Sequence, residues 1–543
     1  MRDKKISDII KQFKEYLFQT RWIIVLTGVF AFLTHGGILF SQRVGFDTDA
    51  IMIGSHSFKE SGRYGVVLLT KLLGLRWFNL YYAQILAFLF IILAPASFGY
   101  LFYCIHGQSE RIKPAQWVLS TLFVVSPFWA AQIYFLNQSP QVLMACILIP
   151  ISLLLADTAK EDPLHKWPYI LSAIVLMNII FACYQVLLMV YLAAAAVIFL
   201  LHSFKEERTV KWQLRWIGFH ATCFVTGFLS YMIIARLFFL SGSNYLTDQI
   251  VWGQGSIWED LERCARSIVH TFLNRAPYYS GSYGIYALLL LGVILCRLAV
   301  GGKLKKGSSI LILLATVFLI FSPHVFIIIY GGDIWDRMQL VMPLSQGSML
   351  YLAVVLFPDI RFKNMIKRVA AGIVAIGLVF ILCRDILFQI NYCNRLYYTD
   401  EWVFQYEMQI LQKVYIDSKE TQALNGLEDS FDNYLILGCP EIPYNETAVV
   451  GHCLGRSFFE WDNISMIFRE RVLLLMRNQG YPLTSYFSEN EQAAFYAYFE
   501  DYFGQQVDEM PCYPEPGYVQ YLRSNELGLE YVVIKLGDDW RLP

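Results

Sequence analysis

Nine stretches of the 543-residue chain contain no Asp, Glu, Lys or Arg, and eight of them run for at least 19 residues. They are residues 22–40, 80–106, 115–156, 167–204, 216–235, 276–296, 307–330, 338–357 and 369–383, the last continuing in apolar character to about residue 390. A helix that crosses a bilayer needs about 20 apolar residues. Two stretches are long enough for a helical hairpin, with turns near Tyr134 to Pro140 and at Cys183-Tyr184-Gln185. The pattern therefore predicts about eleven transmembrane helices.

The composition agrees with that pattern. Apolar residues make up 56% of the chain and charged residues 16%, against about 25% charged in soluble domains, and the mean hydropathy is +0.44. These values exclude a soluble enzyme and a disordered chain. We therefore expect a mainly α, polytopic membrane protein.

The charge distribution divides the chain into two predicted domains. Residues 1–390 carry 33 Lys and Arg against 20 Asp and Glu, whereas residues 391–543 carry 10 against 24. We predict a transmembrane domain over 1–390 and a small, water-exposed α/β domain over 391–543. The latter has a helical pattern at Trp402 to Val414 and strand patterns at Tyr434 to Leu437 and Tyr531 to Lys535. The chain has no basic tail, so we expect no nucleic-acid partner.

The distribution of Lys and Arg over the loops predicts the orientation. If the N-terminus is cytoplasmic, the cytoplasmic segments hold 22 basic residues and the outer segments hold 9. Basic residues are retained on the cytoplasmic side. With an odd number of helices, the acidic C-terminal domain is then extracytoplasmic, and the protein is a multi-pass protein of the cell membrane in contact with lipid.

The first outer loop contains the strongest candidate for chemistry. It reads Gly45-Phe46-Asp47-Thr48-Asp49 directly after the first membrane helix. Two carboxylates at this spacing could supply a general base for an incoming hydroxyl, ligate a divalent cation, or merely cap a helix in a solvated loop. The residues alone leave these three interpretations open.

Cations at the same side of the membrane are candidates for phosphate binding. Arg63, Arg275 and Arg337 each lie where an outer loop meets a helix, and the planar fork of Arg matches phosphate oxygens. Interfacial snorkelling explains each of them equally well. Further contacts to substrate are expected from Glu60, Tyr64 and Trp252, although aromatic belts at bilayer interfaces also account for the aromatic residues.

No nucleotide-binding or hydrolase motif accompanies these residues. The chain lacks a Walker A loop, and it lacks HExxH and, in a suitable context, GxGxxG and GxSxG. We therefore expect no cofactor, and the energy for a transfer reaction would have to reside in a lipid-linked substrate.

Together these motifs resemble a known family. The matching features are Gly45-Phe46-Asp47-Thr48-Asp49, Ser61-Gly62-Arg63-Tyr64-Gly65, Ser126-Pro127-Phe128 and Tyr184-Gln185. The layout resembles the bacterial Gtr-type glucosyltransferases, polytopic GT-C-like enzymes that modify O-antigens and other cell-surface polysaccharides. The likeness covers most of the first 200 residues and, by topology alone, the rest.

The resemblance implies a membrane glycosyltransferase. Such an enzyme takes glucose or a related hexose from a polyprenyl-phosphate sugar on the outer face and attaches it to a glycan acceptor with inversion. By this resemblance Asp47, with Asp49 beside it, is the expected base, and Arg63 contacts the donor phosphate or braces the loop. Family enzymes using such donors are often metal-independent, so we expect no metal, although the Asp-x-Asp pattern leaves a divalent cation open.

Two other classes of protein remain as alternatives. A transporter or flippase of a lipid-linked glycan would show repeated halves with broken helices at matching positions, which the sequence does not show. A receptor-like membrane protein would need the acidic domain and not Asp47, Asp49 or Arg63. Homo-oligomerisation is compatible with all three classes.

Overall fold

A computed structural model describes residues 6–43, 45, 47–48, 58, 61–107, 111–161, 166–205, 208–239, 250–252, 256–273, 282–300, 307–357, 365–460, 466–483, 492–524 and 528–541. The chain divides into two units. We call residues 1–40 and 57–394 the helical unit, and residues 41–56 and 395–543 the mixed unit. The segment after the first membrane helix thus belongs to the same unit as the C-terminal residues.

Helices make up nearly all of the helical unit. They are α1 (Ile6–His35), α2 (Tyr64–Leu72), α3 (Leu80–His106), α4 (Ile112–Val124), α5 (Pro127–Ile133), α6 (Ser139–Glu161), α7 (Lys166–Cys183), α8 (Leu187–Lys205), α9 (Val210–Phe238), α10 (Ile257–Phe272), α11 (Tyr283–Val300), α12 (Gly307–Phe321), α13 (Val325–Tyr330), α14 (Val341–Leu356) and α15 (Met365–Leu424). The last of these continues past residue 394 into the mixed unit.

Local sequence sets several of these boundaries. The side chain of Asn79 caps α3 by accepting a hydrogen bond from the backbone N–H of Tyr82. Pro127 stands at the first position of α5, where its missing N–H costs nothing, so the 115–156 stretch is broken after Val124 as well as at the expected turn. Pro323 lies in a 3₁₀ turn that separates α12 from α13.

The helical unit has the character of a membrane protein. Within the described residues, nine helical segments are long and apolar enough to cross a bilayer, the α12–α13 segment counting as one. α4 and α14 complete the eleven expected apolar segments, but they have only 13 and 16 residues. Large apolar side chains such as Trp22, Phe32 and Ile233 are exposed on the outer faces of their helices, as lipid contact requires. The mainly α, multi-pass class is confirmed, and the count of eleven spans stays a prediction.

The mixed unit combines the C-terminal half of α15 with a small sheet. Its further elements are β1 (Tyr434–Leu437), α16 (Met466–Asn478), α17 (Gln492–Glu509), β2 (Val519–Ser524) and β3 (Leu529–Lys535). β3 is the central strand of the described sheet, parallel to β1 and antiparallel to β2. Both expected strand patterns are confirmed, and so is the helix at Trp402 to Val414, which lies within α15.

Both faces of this sheet are buried. Successive side chains of a strand point to opposite faces. Val532 and Ile534 of β3 accordingly join a core with residues of α15 and α16. Tyr531 and Val533 join a second core with Phe499 and other residues of α17. Helices therefore cover the sheet on either side, which gives the α/β architecture expected of the tail. The extracytoplasmic location of this unit stays a prediction.

Candidate active site

Asp47 lies in a tight turn of the mixed unit. The backbone N–H of Thr48 donates to the carbonyl of Gly45 at 3.0 Å, and Asp47 has φ of +72°. No other non-glycine residue in the described part of the chain has a positive φ. Strained backbone of this kind persists only where the surrounding structure fixes it, and it clusters at functional sites. The turn therefore holds this carboxylate in a defined direction.

A cation from the C-terminal region faces that carboxylate. The Nη2 atom of Arg471, in α16, lies 3.7 Å from Oδ1 of Asp47. The Asp47 side chain is 34% exposed, whereas that of Arg471 is 17% exposed. Asp47 is therefore accessible to a reactant, and one of its oxygens faces a cation that is largely buried.

Arg43 fastens the start of the same segment. Its Nη1 atom lies 2.8 Å from Oδ1 of Asp400 and donates to the Asp400 carbonyl at 2.8 Å. The Nη2 atom donates to the carbonyl of Arg456 at 2.7 Å and lies 4.0 Å from Glu407. The side chain is only 4% exposed. Four residues before Asp47, the backbone is thus tied to α15.

Arg63 lies at the start of α2 in the helical unit. Its Nη1 atom donates to Oε1 of Gln138 at 3.0 Å, and the guanidinium carbon lies 5.1 Å from the centre of the Tyr184 ring. The buried Nε–H has no hydrogen-bond partner among the described residues. A buried donor without a partner is costly. The side chain thus has a donor to spare for a ligand.

Arg337 also contacts the segment between α5 and α6. It lies in the 3₁₀ turn Asp336–Met338, and its guanidinium carbon is 4.3 Å from the centre of the Phe135 ring. Phe135 and Gln138 both belong to the turn between α5 and α6, which residues 134–138 form. We call these five residues the α5–α6 turn. Two of the predicted phosphate-binding arginines, Arg63 and Arg337, therefore converge on it.

Polar groups are concentrated around the α5–α6 turn. Ser139 donates its hydroxyl to the carbonyls of Gln132 and Phe135, at 2.5 and 2.6 Å. Gln132 is fully buried, and neither its Nε2 nor its Oε1 atom has a hydrogen-bond partner among the described residues. An unsatisfied buried amide of this kind calls for an explanation, such as a ligand that completes its bonding.

Tyr64 is held firmly beside Arg63. Its hydroxyl donates to Oδ1 of Asn178 at 2.6 Å, and its ring stacks on Phe239 at 4.9 Å between centres. Burial raises the pKa of this phenol well above its usual value, so the hydroxyl keeps its proton. Tyr64 therefore acts as a fixed, neutral hydrogen-bonding group and not as an acid or base.

Trp252 packs on a different segment. Its Nε1 atom donates to the carbonyl of Ile328 at 2.8 Å. Its ring lies against Gly331, where an added Cβ would come within 3.0 Å of the indole. Gly331 has φ of +83° and ends α13. This indole is braced against the α13 end and is only partly exposed.

Three of the predicted site residues, Asp49, Glu60 and Arg275, lie outside the described residues. Within the part of the chain that the structure does describe, no group of three or more His, Cys, Asp or Glu side chains could hold a metal ion. With Asp49 outside this set, metal independence stays a prediction.

Sequence reasoning missed several residues of the site. The sequence indicates Gln138 only as part of a helix break, and Phe135 and Gln132 lie in an apolar stretch that gives no signal of chemistry. No motif indicates Arg43 or Arg471, because nothing in the pattern pairs them with residues hundreds of positions away.

A comparison with protein families completes these observations. The model of the family described as Glucosyl transferase GtrII matches residues 36–357, which is more than half of the chain. Asp47, Arg63 and Arg337 all lie in the matched region. The resemblance drawn from the sequence motifs is thereby confirmed. Neither the comparison with curated proteins nor that with solved structures gives a match.

Proposed function

The chain belongs to the Glucosyl transferase GtrII family, and from this membership we propose that it moves glucose from a polyprenyl-phosphate sugar to a cell-surface glycan on the outer face of the membrane. It is a membrane protein with the family's glucosyltransferase activity. The donor, the acceptor, the face of the membrane and the mechanism are proposals.

The convergence of Arg63 and Arg337 on the α5–α6 turn carries the proposal. A departing polyprenyl phosphate develops negative charge, and preorganised cations stabilise such charge better than water does. Arg63 has an unused buried N–H, and Arg337 is fixed by its stacking on Phe135. Both side chains are therefore in place before a substrate arrives, and Tyr64 and Trp252 are proposed to contact the sugar.

Asp47 supplies the base in the proposed reaction. Its carboxylate takes the proton of an acceptor hydroxyl, whose oxygen forms a bond to the anomeric carbon of the donor. The bond from that carbon to the phosphate oxygen breaks, and the electron pair leaves with the polyprenyl phosphate. One displacement of this kind inverts the anomeric centre. The positive φ of Asp47 and its contact with Arg471 support this role.

Steady-state kinetics with purified, reconstituted enzyme test the phosphate contacts. We expect Arg63→Gln and Arg337→Gln each to lower kcat/KM for polyprenyl-phosphate glucose by about 10- to 100-fold, the loss of one charge-assisted bond of about 1.5–3 kcal/mol. Arg266 is a matched control, since it is exposed and pairs only on the surface with Glu262 at 2.6 Å.

Two results would contradict the proposal. If Arg266→Gln lowered kcat/KM as much as Arg63→Gln, the loss would reflect the general positive charge of the outer surface and not a specific phosphate contact. If the wild type moved the intact lipid-linked sugar across the bilayer without releasing polyprenyl phosphate, the protein would be a flippase.

A further inference from the structure

The segment that contains Asp47 is built into the C-terminal fold. Residues 41–56 follow the first membrane helix in sequence, yet they belong to the same unit as residues 395–543. Arg43 and its main partner, Asp400, are 357 positions apart. A loop that merely joined two membrane helices would need no such attachment.

Two buried carboxylates, those of Asp400 and Glu407, contact Arg43. Oδ1 of Asp400 also accepts the backbone N–H of Gly455 at 2.7 Å. Oε1 of Glu407 accepts the hydroxyl of Ser457 at 2.9 Å and the backbone N–H of Phe458. Burial raises the pKa of both carboxyls, and the neighbouring guanidinium opposes that effect. Burying these groups costs free energy, which the complete set of contacts offsets.

A second link runs along the same segment. Ser41 donates its hydroxyl to Oε2 of Glu401 at 3.1 Å, and the backbone N–H of Arg43 donates to the Ser41 hydroxyl at 3.2 Å. The residues on either side of position 42 are therefore fixed to α15. At the far end of the turn, Arg471 of α16 faces Asp47.

We propose that Arg43 and Arg471 are positioning residues for the base Asp47, so that the mixed unit sets the geometry of catalysis. Arg43 fixes the backbone that leads into the turn. Arg471 orients the Asp47 carboxylate. This inference rests on the proposed function of Asp47, and it gives the C-terminal residues a role in the reaction itself.

Arg471 is tested by rescue of kcat with a second cation. We expect Arg471→Gln to lower kcat about tenfold through misplacement of the base, with KM for the donor changed by less than about twofold. Arg471→Lys should keep most of the wild-type kcat, and free guanidinium should restore part of the kcat of Arg471→Ala.

Arg43 is tested by a comparison of kcat with KM. Lysine brings a single point charge where the guanidinium makes contacts through two nitrogen atoms. We expect Arg43→Lys to lower kcat about 10- to 100-fold through misplacement of the base, with KM for the donor changed by less than about twofold. Thermal unfolding in detergent reports separately on whether the variant is folded.

Arg477→Gln is the matched control for both variants. Arg477 lies on α16 like Arg471, but its side chain is exposed. We expect this variant to keep the wild-type kcat.

The outcomes separate the two proposals. If Asp47→Asn is inactive while Arg471→Gln and Arg43→Lys keep the wild-type kcat, the positioning roles are wrong and the proposed base stands. An equal loss in Arg477→Gln would also overturn them. If Asp47→Asn is fully active, the proposed base itself is wrong.

Discussion

Gly65 fixes how closely α2 packs on α7, and a single added methyl group there tests the placement of Arg63. An ideal Cβ at Gly65 would lie 2.6 Å from the carbonyl oxygen of Ile179, 2.7 Å from the carbonyl carbon of Ala182 and 2.8 Å from the nitrogen of Cys183. All three are backbone atoms near the end of α7, so no side chain can rotate away. Ordinary contact begins at 3.4 Å, which means that Gly65→Ala must move α2 outward by roughly 0.6–0.8 Å.

That displacement carries the neighbouring site residues with it. Arg63 and Tyr64 precede Gly65 directly, and the bond from Tyr64 to Asn178 would stretch from 2.6 Å toward the limit of a hydrogen bond. A misplacement of about 1 Å can cost about 100-fold in rate. We therefore expect Gly65→Ala to lower kcat/KM about 10- to 100-fold and the free energy of unfolding by about 1–3 kcal/mol.

The assay is donor turnover in proteoliposomes together with thermal unfolding in detergent. Gly292→Ala is the control, because nothing lies within 4 Å of a Cβ at that position of α11. It should leave the turnover unchanged and, as a helical Gly→Ala change, stabilise slightly. Wild-type turnover in Gly65→Ala would contradict this prediction, since the close packing of α2 on α7 would then not position Arg63.

Two further predictions concern stability. Asp157 is buried in the helical unit and accepts hydrogen bonds from His202 and Trp216, both at 3.0 Å. Asp157→Leu should therefore lower the free energy of unfolding by about 3 kcal/mol. An unchanged free energy of unfolding would contradict this prediction. Burial raises the folded-state pKa of Asp400 and Glu407, so their protonated forms favour the fold. That contribution is complete below about pH 4 and is lost as the pH rises through the raised values. In Glu407→Gln the amide oxygen can still accept the hydrogen bonds from Ser457 and Phe458. The melting temperature of this variant should therefore fall less steeply above pH 4 than that of the wild type. Parallel curves of melting temperature against pH would contradict this.

The helices could be predicted from the sequence because lipid imposes a simple rule. Every charge-free stretch is occupied by helix in the described residues, and α3 (Leu80–His106) and α7 (Lys166–Cys183) have nearly the expected ends. The end of the last apolar stretch was less informative. Residues 378–424 contain neither Gly nor Pro, so α15 continues to Leu424 after its apolar character ends.

The site could be predicted only in part. Loops next to membrane helices pointed to Asp47, Arg63 and Arg337, and the structure adds the turn on which the two arginines meet. The attachment of Arg43 to Asp400 was out of reach, since periodicity reports on local structure and carries no information about partners 357 residues away. Gln132 could not be predicted as a site residue either, because a single amide within an apolar run resembles any buried polar residue.

The proposed function requires that a polyprenyl-phosphate sugar is the donor and that Asp47 is the base. The release of polyprenyl phosphate tests both proposals in one assay. The wild type and Asp47→Asn are reconstituted with polyprenyl-phosphate glucose and a crude cell-surface glycan preparation as acceptor, with and without EDTA. We expect release coupled to glucose transfer by the wild type, unchanged by EDTA, and a loss of at least about 100-fold in Asp47→Asn, the lower end of the range for a general base. Release at the wild-type rate by Asp47→Asn, or transfer from a different class of donor alone, would contradict the claim.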